Sequence, residues 1–115
     1  MSDLEDLQQK IVAFRDRRNW KQFHNPKDLA ISLSLEASEL LEHFQWKTPE
    51  EIKKHLAENK EDVAEELADV LYWVLLIAND MDIDVMSASE RKLDKNNTKY
   101  PVEKSKDSHQ KYTEL

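Results

Sequence analysis

Apolar residues recur every three to four positions through most of this chain, the spacing of helices with one covered face. Leu4, Leu7, Ile11 and Phe14 define a first helix. A polar and aromatic connection from Asn19 to Asn25 follows and holds Trp20, Phe23 and His24. Asn25-Pro26 predicts the start of a second helix, with a capping side chain and then proline at the first helical position. That helix is expected from about Pro26 to Gln45. Thr48-Pro49-Glu50-Glu51 has the form of a capping box and opens a short third helix that fades near Glu58-Asn59-Lys60. A fourth helix is expected from about Lys60 to Asn79. Asp84 caps a fifth that carries Val85, Ala88 and Leu93. After Asn97 the chain is polar, contains Tyr100-Pro101 and shows no clear period. The reading is all-α: a four-helix-bundle-like domain with a short extra helix over 1–97, and a polar C-terminal segment over 98–115.

Helices two and four carry apolar residues on more than one face. Ile31 and Leu35 lie opposite the stripe of Leu29, Leu33, Leu40 and Phe44, and Tyr72 and Leu75 do the same in helix four. A helix that is apolar nearly all round is buried on all sides. A 115-residue chain has little core to offer two such helices, so a homo-oligomer is expected.

Composition narrows the chemistry. The chain has no glycine, which excludes a Walker loop and a glycine-rich dinucleotide cradle. It has no cysteine, so neither thiolate catalysis nor a cysteine-ligated metal is available. A net charge of −7 argues against nucleic acid as a partner, because that affinity comes from basic groups on phosphates. The acidic start Met1-Ser2-Asp3-Leu4-Glu5 is unlike a signal peptide, and the apolar run near Val70 to Ala78 is too short to span a bilayer. A soluble cytoplasmic protein without a membrane partner is expected.

Two acidic motifs break the apolar pattern. Glu36-Ala37-Ser38-Glu39 and Glu66-Leu67-Ala68-Asp69 lie inside the most apolar stretches. At about 100° per residue, Glu66 points between Trp73 and Ile77, and Asp69 lies about 60° away. Glu36 falls at the edge of the helix-two stripe, with Glu39 a similar step further round. Single motifs of this form are common solvated helix acids. Two pairs on two long helices, both aimed at apolar surface, call for a partner, a proton or a cation. Four carboxylates without histidine favour a hard cation, Mg²⁺ or Mn²⁺. A di-iron centre of the ferritin type needs Glu-x-x-His motifs, and none of His24, His43, His55 or His109 supplies one.

Trp20, Phe23 and Trp46 sit at helix ends or in loops beside these motifs, and tryptophan is a platform for a nucleobase. Trp73 lies one turn after Asp69 on the apolar face, where core packing serves equally well. Lys92, Lys95, Asn96, Lys99 and Tyr100 offer contacts to phosphate, although a solvated basic surface has the same pattern. His43, on the face of Glu36 and Glu39, reads as a hydrogen-bonded bystander, and His55 carries no signal.

Together these residues resemble the MazG-like superfamily of all-α nucleoside triphosphate pyrophosphohydrolases. That family is marked by E-x-x-E followed at a distance by E-x-x-D, matched here by Glu36, Glu39, Glu66 and Asp69. The chain is most similar to the dCTP pyrophosphatase branch. The matching stretches are Asn19-Trp20-Lys21-Gln22-Phe23-His24, Phe44-Gln45-Trp46-Lys47, Glu65-Glu66-Leu67-Ala68-Asp69-Val70-Leu71, Lys92-Leu93-Asp94-Lys95-Asn96, Lys99-Tyr100-Pro101 and the closing Lys111-Tyr112-Thr113-Glu114-Leu115. The resemblance implies Mg²⁺-dependent hydrolysis of a (deoxy)nucleoside triphosphate to monophosphate and pyrophosphate, which cleanses the nucleotide pool. It implies Glu36, Glu39, Glu66 and Asp69 as catalytic metal ligands. Trp20 and Trp46 would line the base pocket, with Phe23 and His24 beside it and Trp73 near the substrate. Asn96 and Tyr100 would touch sugar or phosphate, helped by Lys92, Lys95 and Lys99, with the 98–115 segment on or near the active site. A dimer of dimers is the implied assembly. Ile11 stands where animal dCTP enzymes have a pocket histidine, which loosens the expected cytosine specificity. The rival reading is a non-enzymatic helical interaction or regulatory module, which would have no reason to aim carboxylates inward.

Overall fold

The computed structural model describes residues 2–115. Five α-helices and two short 3-10 turns, with no strand among the described residues, make it the all-α protein that the periodicity predicts. The helices are α1 (Asp3–Asp16), α2 (Pro26–Glu42), α3 (Pro49–Asp80), α4 (Val85–Lys99) and α5 (Val102–Ser105). The chain divides into two compact units, Met1–Asp82 and Ile83–Leu115.

In the first unit α1 and α2 both pack on α3. Its core is Leu29 from α2 with Val63, Leu75, Leu76 and Ala78 from α3. The helix starts are set by the expected caps. The Asn25 side chain accepts from Asp28 N–H, and Thr48 and Glu51 satisfy each other's backbone N–H groups in a reciprocal capping box.

The expected third and fourth helices meet at Asn59, as the sequence predicts, and join there into one kinked element. α3 runs through 32 residues, with a kink at Asn59 (φ −128°, ψ 28°) instead of a break. The Asn59 amide donates to the His55 carbonyl at 3.2 Å. A side chain that competes locally for backbone groups bends a helix without ending it.

The second apolar face of helix four is covered within the chain. Leu75 is fully buried, its carbonyl accepts from Gln8 Nε2 of α1 at 3.0 Å, and Tyr72 meets Phe14 edge to face. Leu67 and Leu71 of the same helix remain exposed. Ile31 and Leu35 of α2 remain exposed.

A buried ion pair joins α1 to the end of α3. Arg15 is fully buried, its Nη1 donates to Asp80 Oδ2 at 2.6 Å and its Nε to Asp16 Oδ1 at 3.1 Å.

The second unit contains α4 and the C-terminal turns. The sequence after Asn97 is more regular than its composition suggests, since α4 continues to Lys99 and short turns form at Val102–Ser105 and Tyr112–Glu114.

Candidate active site

Glu36 and Glu39 lie one turn apart on α2, and Glu66 faces them from α3. One carboxylate oxygen from each lies within 4.8 Å of the others. Glu36 and Glu66 are half-buried while Glu39 is exposed. Asp69 stands outside this trio, exposed, but close enough to raise the pKa of both Glu36 and Glu66 by repulsion. Burial pushes the Glu36 carboxyl up to about 7, helped by a hydrogen bond with Glu39 and by repulsion from Asp69, Glu39 and Glu66. Glu66 is raised for the same reasons, burial first and then its hydrogen bond with Glu39.

Glu36 Oε2 and Glu66 Oε2 are buried and have no hydrogen-bond partner. A buried carboxylate oxygen without a donor is costly, and at Glu66 the nearby His43 offsets only part of the rise that burial and the acidic neighbours cause. Converging oxygens with unsatisfied lone pairs, in an all-carboxylate donor set, fit a hard divalent cation. The residues present therefore suit the expected metal.

The acidic trio lies between two cavities. One, of about 510 Å³, is lined by Lys10, Ile11, Phe14, Trp20, Tyr72 and Trp73, with Glu36 and Asp69 at its edge. Its aromatic wall is continuous. Phe14 meets Trp20 with ring centroids 5.9 Å apart, and Tyr72 meets Trp73 at 5.1 Å. Arg18 stacks on Phe14, its guanidinium carbon 3.8 Å from the ring centroid. The second cavity, also about 510 Å³, is polar and lined by Glu39, Glu42, His43, His55 and Glu66.

Trp20 and Trp73 both line the aromatic cavity. Trp46 does not line the aromatic cavity. It is 92% exposed and its backbone takes the left-handed conformation, at φ 68°. Phe23 is largely exposed. His24 meets Trp73 edge to face at 5.6 Å and borders a separate cavity with Asn25, Asn79 and Asp80. Burial lowers its pKa, and the nearby Arg15 lowers it further. In the second unit Lys92, Lys95, Asn96 and Lys99 recur at three- and four-residue steps along α4, so they share one face. Tyr100 caps that helix and meets Tyr112, over whose ring Lys99 Nζ lies at 4.9 Å.

Lys10, Phe14 and Tyr72 also line the aromatic cavity, although the sequence marks none of them as a site residue. The available signal was helical spacing: Phe14 follows Lys10 by four residues and Ile11 by three, and Tyr72 follows Asp69 by three. His55 had none, because its neighbour His43 is reached only across two helices.

A family profile described as MazG-like matches residues 31–115. The chain belongs to the MazG-like family. It is 40% identical to dCTP pyrophosphatase 1 of Rattus norvegicus, in an alignment covering 97% of this chain and 67% of the relative. The Homo sapiens dCTP pyrophosphatase 1 is 39% identical over the same shares of the two chains. The fold is similar to the crystal structure of a pyrophosphatase from Archaeoglobus fulgidus, with a TM-score of 0.82 and 41% identity over 88% of this chain and 94% of that one. Both motifs, from Glu36 to Asp69, fall inside the stretch that the MazG-like profile matches. No helix is long and apolar enough to cross a membrane among the described residues.

Proposed function

We propose that this chain is a nucleoside triphosphate pyrophosphohydrolase that cleaves a (d)NTP, dCTP or a related dNTP, to the monophosphate and pyrophosphate, with Mg²⁺ as its metal and Mn²⁺ as a substitute. One observation carries this reading. Carboxylates with unpartnered buried oxygens border an aromatic cavity on one side and a polar cavity on the other. A nucleotide has the matching order of parts: an apolar base, then a phosphate chain.

Glu36, Glu39 and Glu66 would hold the metal directly, and Asp69 would complete the set at the edge of the base cavity. Bound there, Mg²⁺ would offset the charge of the triphosphate and lower the pKa of a bound water. The chain itself supplies the rest. Trp20 and Trp73 present rings to the base, with Ile11 and Phe14 excluding water around it. One of the carboxylates takes the proton from the attacking water. Ile11 cannot read a hydrogen-bonding base edge, so the pocket accepts more than one base. Phe23, His24 and Trp46 lie outside the aromatic cavity, and their substrate roles belong to this proposal only as contacts made when nucleotide is bound. Lys92, Lys95, Asn96, Lys99 and Tyr100 are proposed to grip sugar or phosphate, with residues 98–115 near the site. The exposed Ile31 and Leu35 support assembly as a homo-oligomer, a dimer of dimers. The proposed setting is cytoplasmic cleansing of the nucleotide pool.

The test is pyrophosphate release across the four dNTPs and 5-modified dCTP, with Mg²⁺ and with chelator. Metal-dependent release of pyrophosphate and monophosphate is expected. Release of orthophosphate alone, or none with any nucleotide, would remove the reading.

A further inference from the structure

The polar cavity holds a hydrogen-bonded chain that the acidic motifs do not account for. His43 Nδ1 lies 2.8 Å from His55 Nε2. His55 Nδ1 lies 3.3 Å from Asn59 Nδ2, and that same nitrogen lies 3.2 Å from the His55 carbonyl oxygen. Asn59 is the kink residue of α3, so the bend itself brings its amide onto His55.

Partner chemistry fixes every proton in this chain. A carbonyl oxygen only accepts, so the group of Asn59 facing it is the NH₂, which only donates. His55 Nδ1 must then accept, which leaves the His55 proton on Nε2. His43 Nδ1 accepts that proton in turn. The His43 proton therefore sits on Nε2, the one ring nitrogen with no partner among the described residues. His43 lines the cavity together with Glu39, Glu42 and Glu66. A neutral N–H donor is thus held among carboxylates, where every other side chain but the His55 ring is acidic.

We propose that His43 Nε2–H donates to the pyrophosphate end of the phosphate chain, and that Asn59, through His55, is the positioning residue that holds His43 in this tautomer. The assignment rests on the proposed nucleotide reading and extends it. With the base in the aromatic cavity and the cleavage point at the acidic trio, the β and γ phosphates extend into the polar cavity. Anions there meet three carboxylates, so a donor fixed as a donor is needed in addition to the metal.

The variant Asn59→Asp tests the relay without touching either histidine. Aspartate only accepts, so His55 Nδ1 must donate, its Nε2 accept and His43 Nδ1 donate, leaving a bare lone pair at His43 Nε2. Imidazole ¹⁵N spectra of the metal-free protein should show both rings protonated at Nε2, and both switched to Nδ1 in Asn59→Asp. Calorimetric binding of pyrophosphate with Mg²⁺ should weaken about tenfold or more in His43→Ala, the loss expected for a hydrogen bond to a charged group. Asn59→Asp should weaken it comparably, and His43→Gln, whose amide reaches toward the Nε2 position, should recover part. Binding of dCMP, which has no pyrophosphate, should not change. A His43 ring protonated at Nδ1 in the native chain would overturn the proposal, as would equal pyrophosphate affinity in native, His43→Ala and Asn59→Asp. Those results leave the hydrolase reading intact if pyrophosphate is still released from dNTPs. Conversely, His43-dependent pyrophosphate binding by a chain that hydrolyses no nucleotide keeps this proposal and removes that reading.

Discussion

Glu66 and Asp80 are carboxylates on the same helix, yet their surroundings push them in opposite directions. Asp80 is met by the buried Arg15 guanidinium at 2.6 Å. Burial works against its charge, but the Arg15 and Asn79 hydrogen bonds and the Arg15 charge outweigh it and hold its pKa below the usual value. Glu66 is met by Glu39, with Glu36 nearby, and His43 offsets their effect only in part. Its pKa is raised by burial and by its acidic neighbours. One site is charge-balanced and fastens α1 to α3. The other stores repulsion that only protons or a cation can relieve. A protein that tolerates such a cluster beside a balanced pair gives up stability at the place where it binds something.

The largest expected effect breaks the unbalanced site. Glu66→Gln removes one negative charge and one metal ligand while keeping the side-chain shape. Turnover should fall to background. The metal-free protein should melt at a higher temperature, because repulsion within the trio is reduced. Added Mg²⁺ should raise the melting temperature of the native chain and not that of the variant. Scanning fluorimetry with and without Mg²⁺, beside a pyrophosphate-release assay, reads all three. Full turnover in Glu66→Gln would take this residue out of the mechanism.

Breaking the balanced site should cost stability instead. Arg15→Met leaves Asp80 beside an apolar side chain, and loss of one partner from a buried pair costs about 3–5 kcal/mol. The double variant Arg15→Met with Asp80→Leu removes both charges and should recover most of that loss. Urea denaturation of the two variants distinguishes the cases. If the double variant is no more stable than the single one, the pair does more than neutralise itself.

The two sites also differ in how far the sequence revealed them. Glu36, Glu39 and Glu66 were legible because charged residues on an apolar stripe violate the periodicity that predicts the helices. Asp69 was legible as a motif, but the same three-residue step that brings Glu39 beside Glu36 does not bring Asp69 into the trio. Arg15 was not legible. It sits one position after Phe14 in a helix with several charges, and its partner lies 65 residues away. The division between helices three and four was legible in place: it falls at Asn59, where the backbone leaves helical φ/ψ. Asn59 has the composition of a helix end, but its amide bonds back into its own helix and makes a kink. The exposure of Trp46 and its left-handed backbone had no local signal in the sequence either.

Trp20 and Trp46 sharpen the comparison at the aromatic end. Trp20 lines the cavity beside Glu36, whereas Trp46 is 92% exposed. Trp20→Ala should weaken nucleotide binding by about 1–3 kcal/mol, with a smaller change in turnover at saturating nucleotide. Trp46→Ala should cost less than Trp20→Ala unless its ring moves onto the bound base. Competition binding with a non-hydrolysable dNTP, followed by tryptophan fluorescence, separates the two. A larger loss in Trp46→Ala would mean that the base sits on the α2–α3 turn and not in the α1–α3 cavity.

The smallest expected effect is the most direct test of the unbalanced charge. Glu36 keeps its proton up to about pH 7 in the folded chain, against an ordinary value of 4.5. Between those limits the folded state holds a proton that the unfolded state has already released. Stability of the metal-free protein should therefore fall as pH rises through that window, and level off above it. Asp80 works in the opposite sense. Its lowered pKa gives stability that is present at neutral pH and lost only as pH falls into the acid range. Solvent reaching Glu36 through the neighbouring cavities screens the repulsion, so the loss should be modest. Urea midpoints of the metal-free chain at pH 5 and pH 8 should differ, and Glu36→Gln should flatten that difference. Saturating Mg²⁺ should restore the native chain at pH 8 more than at pH 5, because protons compete for the same oxygens at the lower pH. A native midpoint that rises from pH 5 to pH 8 without metal would mean that the trio is not the electrostatic strain that its geometry describes.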